Sequence, residues 1–253
     1  MAVQVYFIGA GPGDPELLTI KARRIIERAD VIIYADSLVN PEVCAGARRG
    51  AEIHRSASLD LEEITAIIAD AVRQGKTVAR LQSGDPAVYG AIHEQMAALE
   101  EKRIDYEIIP GVSSLFAAAA ALKAELTVPE LTQTVIITRL EGKTPVPAPE
   151  RLRGLAAHGA SLVIFLSASL ADEVAAELRA GGYPADTPAA VVYRASWPDQ
   201  KLLRTTLENL VPEIKAAGIK KQALILIGRF LETGSGRRRS RLYDRKFQHG
   251  RRQ

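Results

Sequence analysis

One cysteine, Cys44, stands in 253 residues, and that scarcity removes whole classes of chemistry. A single thiol makes no intramolecular disulfide and cannot supply a multi-cysteine metal or iron–sulfur framework. Its plain reading is a partly buried helix residue. The four histidines, at 54, 93, 158 and 249, lack the short spacings of a zinc site, so no structural metal is expected. Long apolar runs are missing as well, which argues against a membrane span. The start of the chain has no basic segment followed by an apolar stretch and a small-residue cleavage site, so no signal peptide is expected and the location read is cytoplasmic. Aromatic residues are only 5% of a chain that is 47% hydrophobic, so Ala, Leu, Ile and Val must fill the core, as in helices packed on sheets.

Charge of one sign is scarce everywhere except at the end. Residues 234–253 hold eight Lys or Arg against Asp244 alone, a net +7, whereas the preceding residues carry 25 basic and 29 acidic groups, a net −4. The sequence pI near 9.0 therefore belongs to the tail, and the body is no nucleic-acid-binding surface.

What is present alternates strand and helix. Val3 to Ile8 reads as a strand ending in glycine, and Pro15 to Ala29 as a helix capped by Asp14, with Pro15 in the first turn. Strands follow at Val31 to Tyr34, Thr77 to Leu81 and Tyr106 to Ile109. Asn40-Pro41 opens a short helix, and longer helices are read at Asp60 to Gln74, about Gly90 to Lys102, and through SSLFAAAAALK. This pattern predicts an α/β domain over residues 1–124 with a mostly parallel sheet. A second α/β domain is read over 125–233, with strands at Thr134 to Thr138, Ser161 to Leu166, Ala189 to Arg194 and Ala223 to Gly228. Its helices are read near Glu150 to Ala157, Ala171 to Ala180 and Leu207 to Ala217. Lys201 to Thr205 is expected to return as a hairpin on the Ala189 strand, which makes this sheet mixed. Two domains are expected to leave a cleft between them; the basic tail is the third segment.

Three loops fall at strand ends: Gly9 to Asp14 (GAGPGD), Arg80 to Pro86 (RLQSGDP) and Pro110 to Ser114 (PGVSS). The first invites a dinucleotide-binding reading, but a G-x-G-x-x-G register puts Asp14 where the third glycine belongs, and a carboxylate there repels a pyrophosphate. Taken singly, the glycines shape tight turns and Ser113 and Ser114 cap the next helix. In a parallel sheet, however, all three loops emerge on one edge and can line one pocket.

The segments VYFIGAGPGDPELLT, ADVIIYADSLV, RLQSGDPAVYG and IIPGVSSLFAAAA resemble, in order and spacing, the signature segments of the S-adenosylmethionine (SAM)-dependent tetrapyrrole methylases of corrin and sirohaem synthesis. Within that family SASLDLEEI, ELTVPELTQTVIITRLEGKTPVP and the terminal SRLYD are most similar to the branch that methylates precorrin-4 at C11. The resemblance implies the fold of that family, SAM as cofactor with S-adenosylhomocysteine as product, a tetrapyrrole substrate of cobalamin biosynthesis, and a homodimer. It implies cofactor contacts at Pro12, Ser83, Gly84, Asp85, Val88, Tyr89, Ser113 and Ser114, and from the second domain at Leu166 and Ala195. Other tetrapyrrole methylases, acting on cobalt-precorrin-4 or uroporphyrinogen III, remain open, as does the weaker nicotinamide-dependent oxidoreductase reading.

One cysteine excludes a radical SAM route, so methyl transfer must be polar. Asp36, ending the second strand, is the carboxylate best placed to help a proton leave; its simpler role is a loop acid that caps or solvates. Asp at this place is similar to the uroporphyrinogen-methylating branch, whereas the precorrin-4 branch more often has glycine. For the tail, a solvated end and electrostatic capture of an acidic substrate both stand.

Overall fold

A computed structural model describes residues 3–232. The basic tail read from the sequence lies outside them. Within them the chain forms two compact units: one takes in the chain up to Ala117 together with Arg194–Asp199, the other Ala118–Tyr193 and the chain from Gln200 onward. Strand–helix alternation puts the Arg194 segment, and Ala195 with it, in the second α/β domain; in the structure it packs with the first.

The first unit holds a five-stranded sheet in the order β3-β2-β4-β1-β5. The strands are β1 (Val5–Gly9), β2 (Val31–Tyr34), β3 (Glu52–Arg55), β4 (Val78–Gln82) and β5 (Tyr106–Ile109), and every pairing is parallel. β2 and β4 are buried along their whole length, as strands covered on both faces must be. One face packs α1 (Ile20–Arg28) through Ala22, Ile25 and Ile26 onto Ile8, Ile32 and Leu81. The other packs α2 (Leu61–Arg73) and α3 (His93–Glu101) through Ile64, Ile68 and Leu99 onto Phe7, Ile33 and Val78.

The helix ends follow local chemistry. Asp60 and Glu63 form a reciprocal capping box at the start of α2, and Gly75 turns the chain out at φ +73°. The helix read from Pro15 to Ala29 is two pieces. Asp14 caps a single 3-10 turn, Pro15–Leu17; Leu18 is extended, and Thr19 restarts the chain as α1, its Oγ1 accepting from Ala22 N at 3.1 Å. Strand β3 has no counterpart in the sequence reading.

α4 (Ser114–Ala121) leads into the second unit, whose sheet runs β6-β7-β10-β8-β9. Here β6 (Val135–Arg139) and β7 (Ser161–Phe165) are parallel, and β10 (Ala223–Ile227), β8 (Pro188–Tyr193) and β9 (Lys201–Thr206) join antiparallel. The sheet is mixed as expected, and β9 returns on β8 with Ala189 opposite Thr205. Leu152 of α5 (Leu152–Ala156), Val174 and Leu178 of α6 (Ala171–Ala180), and Leu210 and Ile214 of α7 (Leu210–Ala216) pack on Leu162, Ile164, Val191 and Ile225. Among the described residues no helix is long and apolar enough to cross a membrane.

Candidate cofactor site

β4, β1 and β5 are neighbours, so the loops that leave their C-terminal ends must meet. They interlock. Gly84 N donates to Gly11 O at 2.8 Å, and Gly11 N returns to Gly84 O at 3.2 Å. Both glycines are left-handed, at φ +66° and +73°, a conformation a side chain disfavours. The third loop closes on the other two at Gly111, where a Cβ would fall 2.2 Å from Gly84 O and 2.7 Å from Gly9 Cα. Asp85 ties the arrangement: Oδ1 accepts from Ala87 N at 2.8 Å and Oδ2 from Gly111 N at 2.9 Å. Ser113 Oγ accepts from Leu115 N at 3.3 Å, which starts α4.

The structure thus brings together Pro12, Ser83, Gly84, Asp85, Ser113 and Ser114 at one edge of the first sheet. Val88 N donates to Asp85 O at 3.3 Å, in the turn that leads to Tyr89, which is left-handed at φ 52° and 44% exposed. Ala195 is buried in the same unit. Leu166 lies in the second unit, at the end of β7, left-handed at φ 53° and 66% exposed. An exposed leucine in that conformation is a strained feature of the kind that gathers at ligand sites.

Asp36 makes its bond elsewhere. It is exposed in the loop after β2, and its Oδ1 accepts from Ala57 N at 3.2 Å in the loop after β3. Since β2 borders β4, this loop flanks the second glycine loop along the same sheet edge.

Sequence reasoning missed two features. Arg194–Asp199 joins the first loop: Trp197 Nε1 donates to Pro12 O at 2.9 Å, and Asp14 N donates to Ser196 Oγ at 3.0 Å. The chain's single tryptophan was the signal available. Polar side chains are also buried beneath the second loop. Arg80, 5% exposed, donates from Nε to Gln95 Oε1 at 3.0 Å and from Nη1 to Ser56 Oγ at 2.9 Å. Among the described residues no carboxylate faces it, and burial pushes its guanidinium pKa down to about 10. Two residues along the strand, Gln82 Nε2 is buried without a hydrogen-bond partner among the described residues.

This donor set suits a small zwitterionic or neutral cofactor better than a pyrophosphate. The second loop's carboxylate is spent on backbone N–H groups, and the buried Gln82 amide beside Ser83 has donor capacity to spare. Asp14 stands where a dinucleotide loop needs positive potential, its Oδ1 accepting from Glu16 N at 2.8 Å. Among the described residues no three His, Cys, Asp or Glu side chains gather as metal ligands.

Parallel strands ending in interlocked glycine loops define an α/β protein of the kind whose ligand sites lie at the strand C-termini. Residues 4–211 match the family model described as Tetrapyrrole (Corrin/Porphyrin) Methylases, and the chain belongs to that family of methyltransferases. It is 54% identical over 246 residues, 97% of this chain and 95% of the relative, to the cobalt-precorrin-4 C(11)-methyltransferase of Methanocaldococcus jannaschii. The precorrin-4 C(11)-methyltransferase of Pseudomonas aeruginosa is 46% identical, covering 97% of each chain. An X-ray structure of a cobalt precorrin-4 methyltransferase superposes with a TM-score of 0.89 at 50% identity, covering 90% of this chain and 96% of that one. The uroporphyrin-III C-methyltransferase of Thermus thermophilus, solved with S-adenosylhomocysteine, matches at a TM-score of 0.76 and 29% identity, covering 90% and 98%.

Proposed function

We propose that this protein transfers the methyl group of SAM to C11 of precorrin-4 in cobalamin biosynthesis, in the cytoplasm, giving precorrin-5 and S-adenosylhomocysteine. The observation that carries this is near-complete coverage at 46% identity to a relative bearing that name. A second reading, with cobalt already in the ring, is favoured by the 54% relative, which is named for cobalt-precorrin-4.

The residues proposed to hold the cofactor are Pro12, Ser83, Gly84, Asp85, Val88, Tyr89, Ser113, Ser114, Leu166 and Ala195. The hydrogen bonds Asp85 makes to Ala87 N and Gly111 N support a backbone and shaping role for it. When bound, SAM supplies an electrophilic methyl group. A ring carbon conjugated to pyrrole nitrogens is already an enamine-like nucleophile, so the chain's task is to align the two and exclude water. Methyl transfer then needs only that a proton leave the ring system, and Asp36 is the side chain proposed to assist by binding the macrocycle.

The test is incubation with methyl-labelled SAM and either precorrin-4 or its cobalt complex, with the labelled carbon assigned by NMR. Label at C11 supports the proposal, and the relative rates on the two substrates choose between the readings. Label at any other ring position refutes it. The homodimer implied by the family is checked by light scattering at micromolar protein, where a monomer mass would overturn it.

A further inference from the structure

We propose that Arg194–Asp199 is a clamp that presets the first glycine loop for its cofactor, with Trp197 as the principal positioning residue. This rests on the reading of that loop as part of the SAM site. Three consecutive loop residues meet the segment. Pro12 offers its carbonyl to Trp197 Nε1 at 2.9 Å. Gly13 lies against the indole so closely that a Cβ there would fall 2.1 Å from Trp197 Cδ1 and 2.3 Å from Nε1. Asp14 gives its N–H to Ser196 Oγ at 3.0 Å. Gly13 O accepts from the buried Asn40 Nδ2 at 2.8 Å.

The segment is itself braced. Arg194 and Ser196 are left-handed, at φ 46° and 68°, a conformation that non-glycine residues hold only where their surroundings over-determine it. Trp197 N closes the turn on Arg194 O at 3.0 Å. The Arg194 guanidinium carbon lies 3.7 Å from the indole centroid, and Nη1 pairs with Asp199 Oδ2 at 2.5 Å. The indole is therefore fixed by a cation on its face and by its own N–H, and it fixes the loop in turn.

These bonds engage the loop's Pro12–Asp14 arm, while Gly11 is held by its exchange with Gly84. With both ends of the loop fixed, little conformational freedom is left to lose on binding. Binding to a pre-set loop avoids the ordering cost that a free loop imposes. Gly13 is thus needed for the indole to approach, a packing requirement distinct from its backbone freedom, since its φ is not left-handed.

The test uses SAM titration calorimetry in full-length wild type, Trp197→Phe, Gly13→Ala and the double variant Gly13→Ala/Trp197→Leu, each checked for folding by circular dichroism, together with emission from the single tryptophan in the two proteins that keep it, wild type and Gly13→Ala. Wild-type emission should change on SAM addition. Trp197→Phe keeps an aromatic face but loses the bond to Pro12, so SAM affinity should fall roughly tenfold. The KM for SAM should rise while kcat at saturation stays near wild type, a split that general destabilisation would not give. Gly13→Ala should weaken SAM more and shift the emission even without ligand, and the double variant should regain affinity relative to Gly13→Ala. Wild type that fails to bind SAM would sink the cofactor reading, and the proposal with it. Wild type that binds, with folded Trp197→Phe and Gly13→Ala binding equally well, would overturn the clamp alone.

Discussion

Gly9 and Gly111 face each other with no room for a side chain on either. A Cβ on Gly9 would lie 2.5 Å from Gly111 Cα, and one on Gly111 would lie 2.2 Å from Gly84 O. Neither glycine is left-handed, so what demands glycine here is the close approach of two backbones. Gly111→Ala is therefore expected to destabilise by about 1–3 kcal/mol through overpacking and to weaken SAM binding as the loops part. Gly154, inside α5, is the control, because a Cβ there would have nothing within 4 Å. Gly154→Ala should be neutral or stabilising by up to about 1 kcal/mol. Thermal denaturation of the two variants checks the contrast, and equal melting temperatures would remove the interlock argument.

Asp85 makes a second prediction of the same kind. Its two oxygens accept from Ala87 N and Gly111 N, and Asn offers only one acceptor, leaving an amide N–H₂ opposed to a backbone N–H. Asp85→Asn should lose about 1–3 kcal/mol of stability, with SAM affinity falling as the third loop loosens. Urea unfolding and calorimetry measure both. A folded Asp85→Asn protein of unchanged stability that has lost SAM binding would show instead that the carboxylate faces the cofactor.

Much of this arrangement is legible in the sequence because it is local. β2 (VIIY) is a short, β-branched apolar run that reads as a buried strand, and the alternation of strands with helices predicts the parallel sheet, hence the meeting of the three loops. β3 (EIHR) escapes because an exposed edge strand carrying Glu, His and Arg has neither an apolar run nor a buried face to betray it. The split of the Pro15 helix turns on Thr19, whose cap looks in sequence like any polar residue within a helix. Trp197 meets Pro12 across 185 positions, and no local pattern encodes a contact of that span. Arg80 in β4 is invisible for another reason: its burial among neutral partners depends on Ser56 and Gln95, which come from two other segments.

Stability should fall at high pH because of Tyr183. Its hydroxyl donates to Ala160 O at 2.5 Å, and burial pushes its pKa up to about 12. An unfolded tyrosine ionises near 10, so below that pH both states are protonated and the contribution is whole. As pH rises from about 10 through 12 the unfolded chain ionises first, and stability is lost. Cys44 acts in the same direction, with burial raising its thiol to about 11. Tyr183→Phe should cost about 0.5–1.5 kcal/mol near neutrality for the lost hydrogen bond yet show a shallower alkaline decline. Urea titrations from pH 8 upward decide it, and parallel curves for wild type and variant would refute the assignment.

Asp36 can serve as a base or as a positioning group, and the two leave different kinetic traces. As a general base it should contribute roughly 10²- to 10⁴-fold to turnover, so Asp36→Asn would lower kcat by that order with SAM affinity unchanged. As a positioning group it needs only an acceptor. The structure shows the carboxylate already accepting from Ala57 N at 3.2 Å, which couples the loop after β2 to the loop after β3 and leaves Oδ2 with acceptor capacity for a ring N–H. Asn can keep one of these bonds, so Asp36→Asn is expected to retain most activity. Asp36→Ala should lose far more, because it frees the Ala57 N–H and removes the macrocycle's partner together. The intrinsic nucleophilicity of the ring carbon favours positioning, since no strong base is needed to start the reaction. Single-turnover rates of Asp36→Asn and Asp36→Ala across pH separate the roles: positioning predicts Asn well above Ala with no change in the pH profile. A drop of about a thousandfold in Asp36→Asn, with SAM and substrate still bound, would establish the base and end the positioning account.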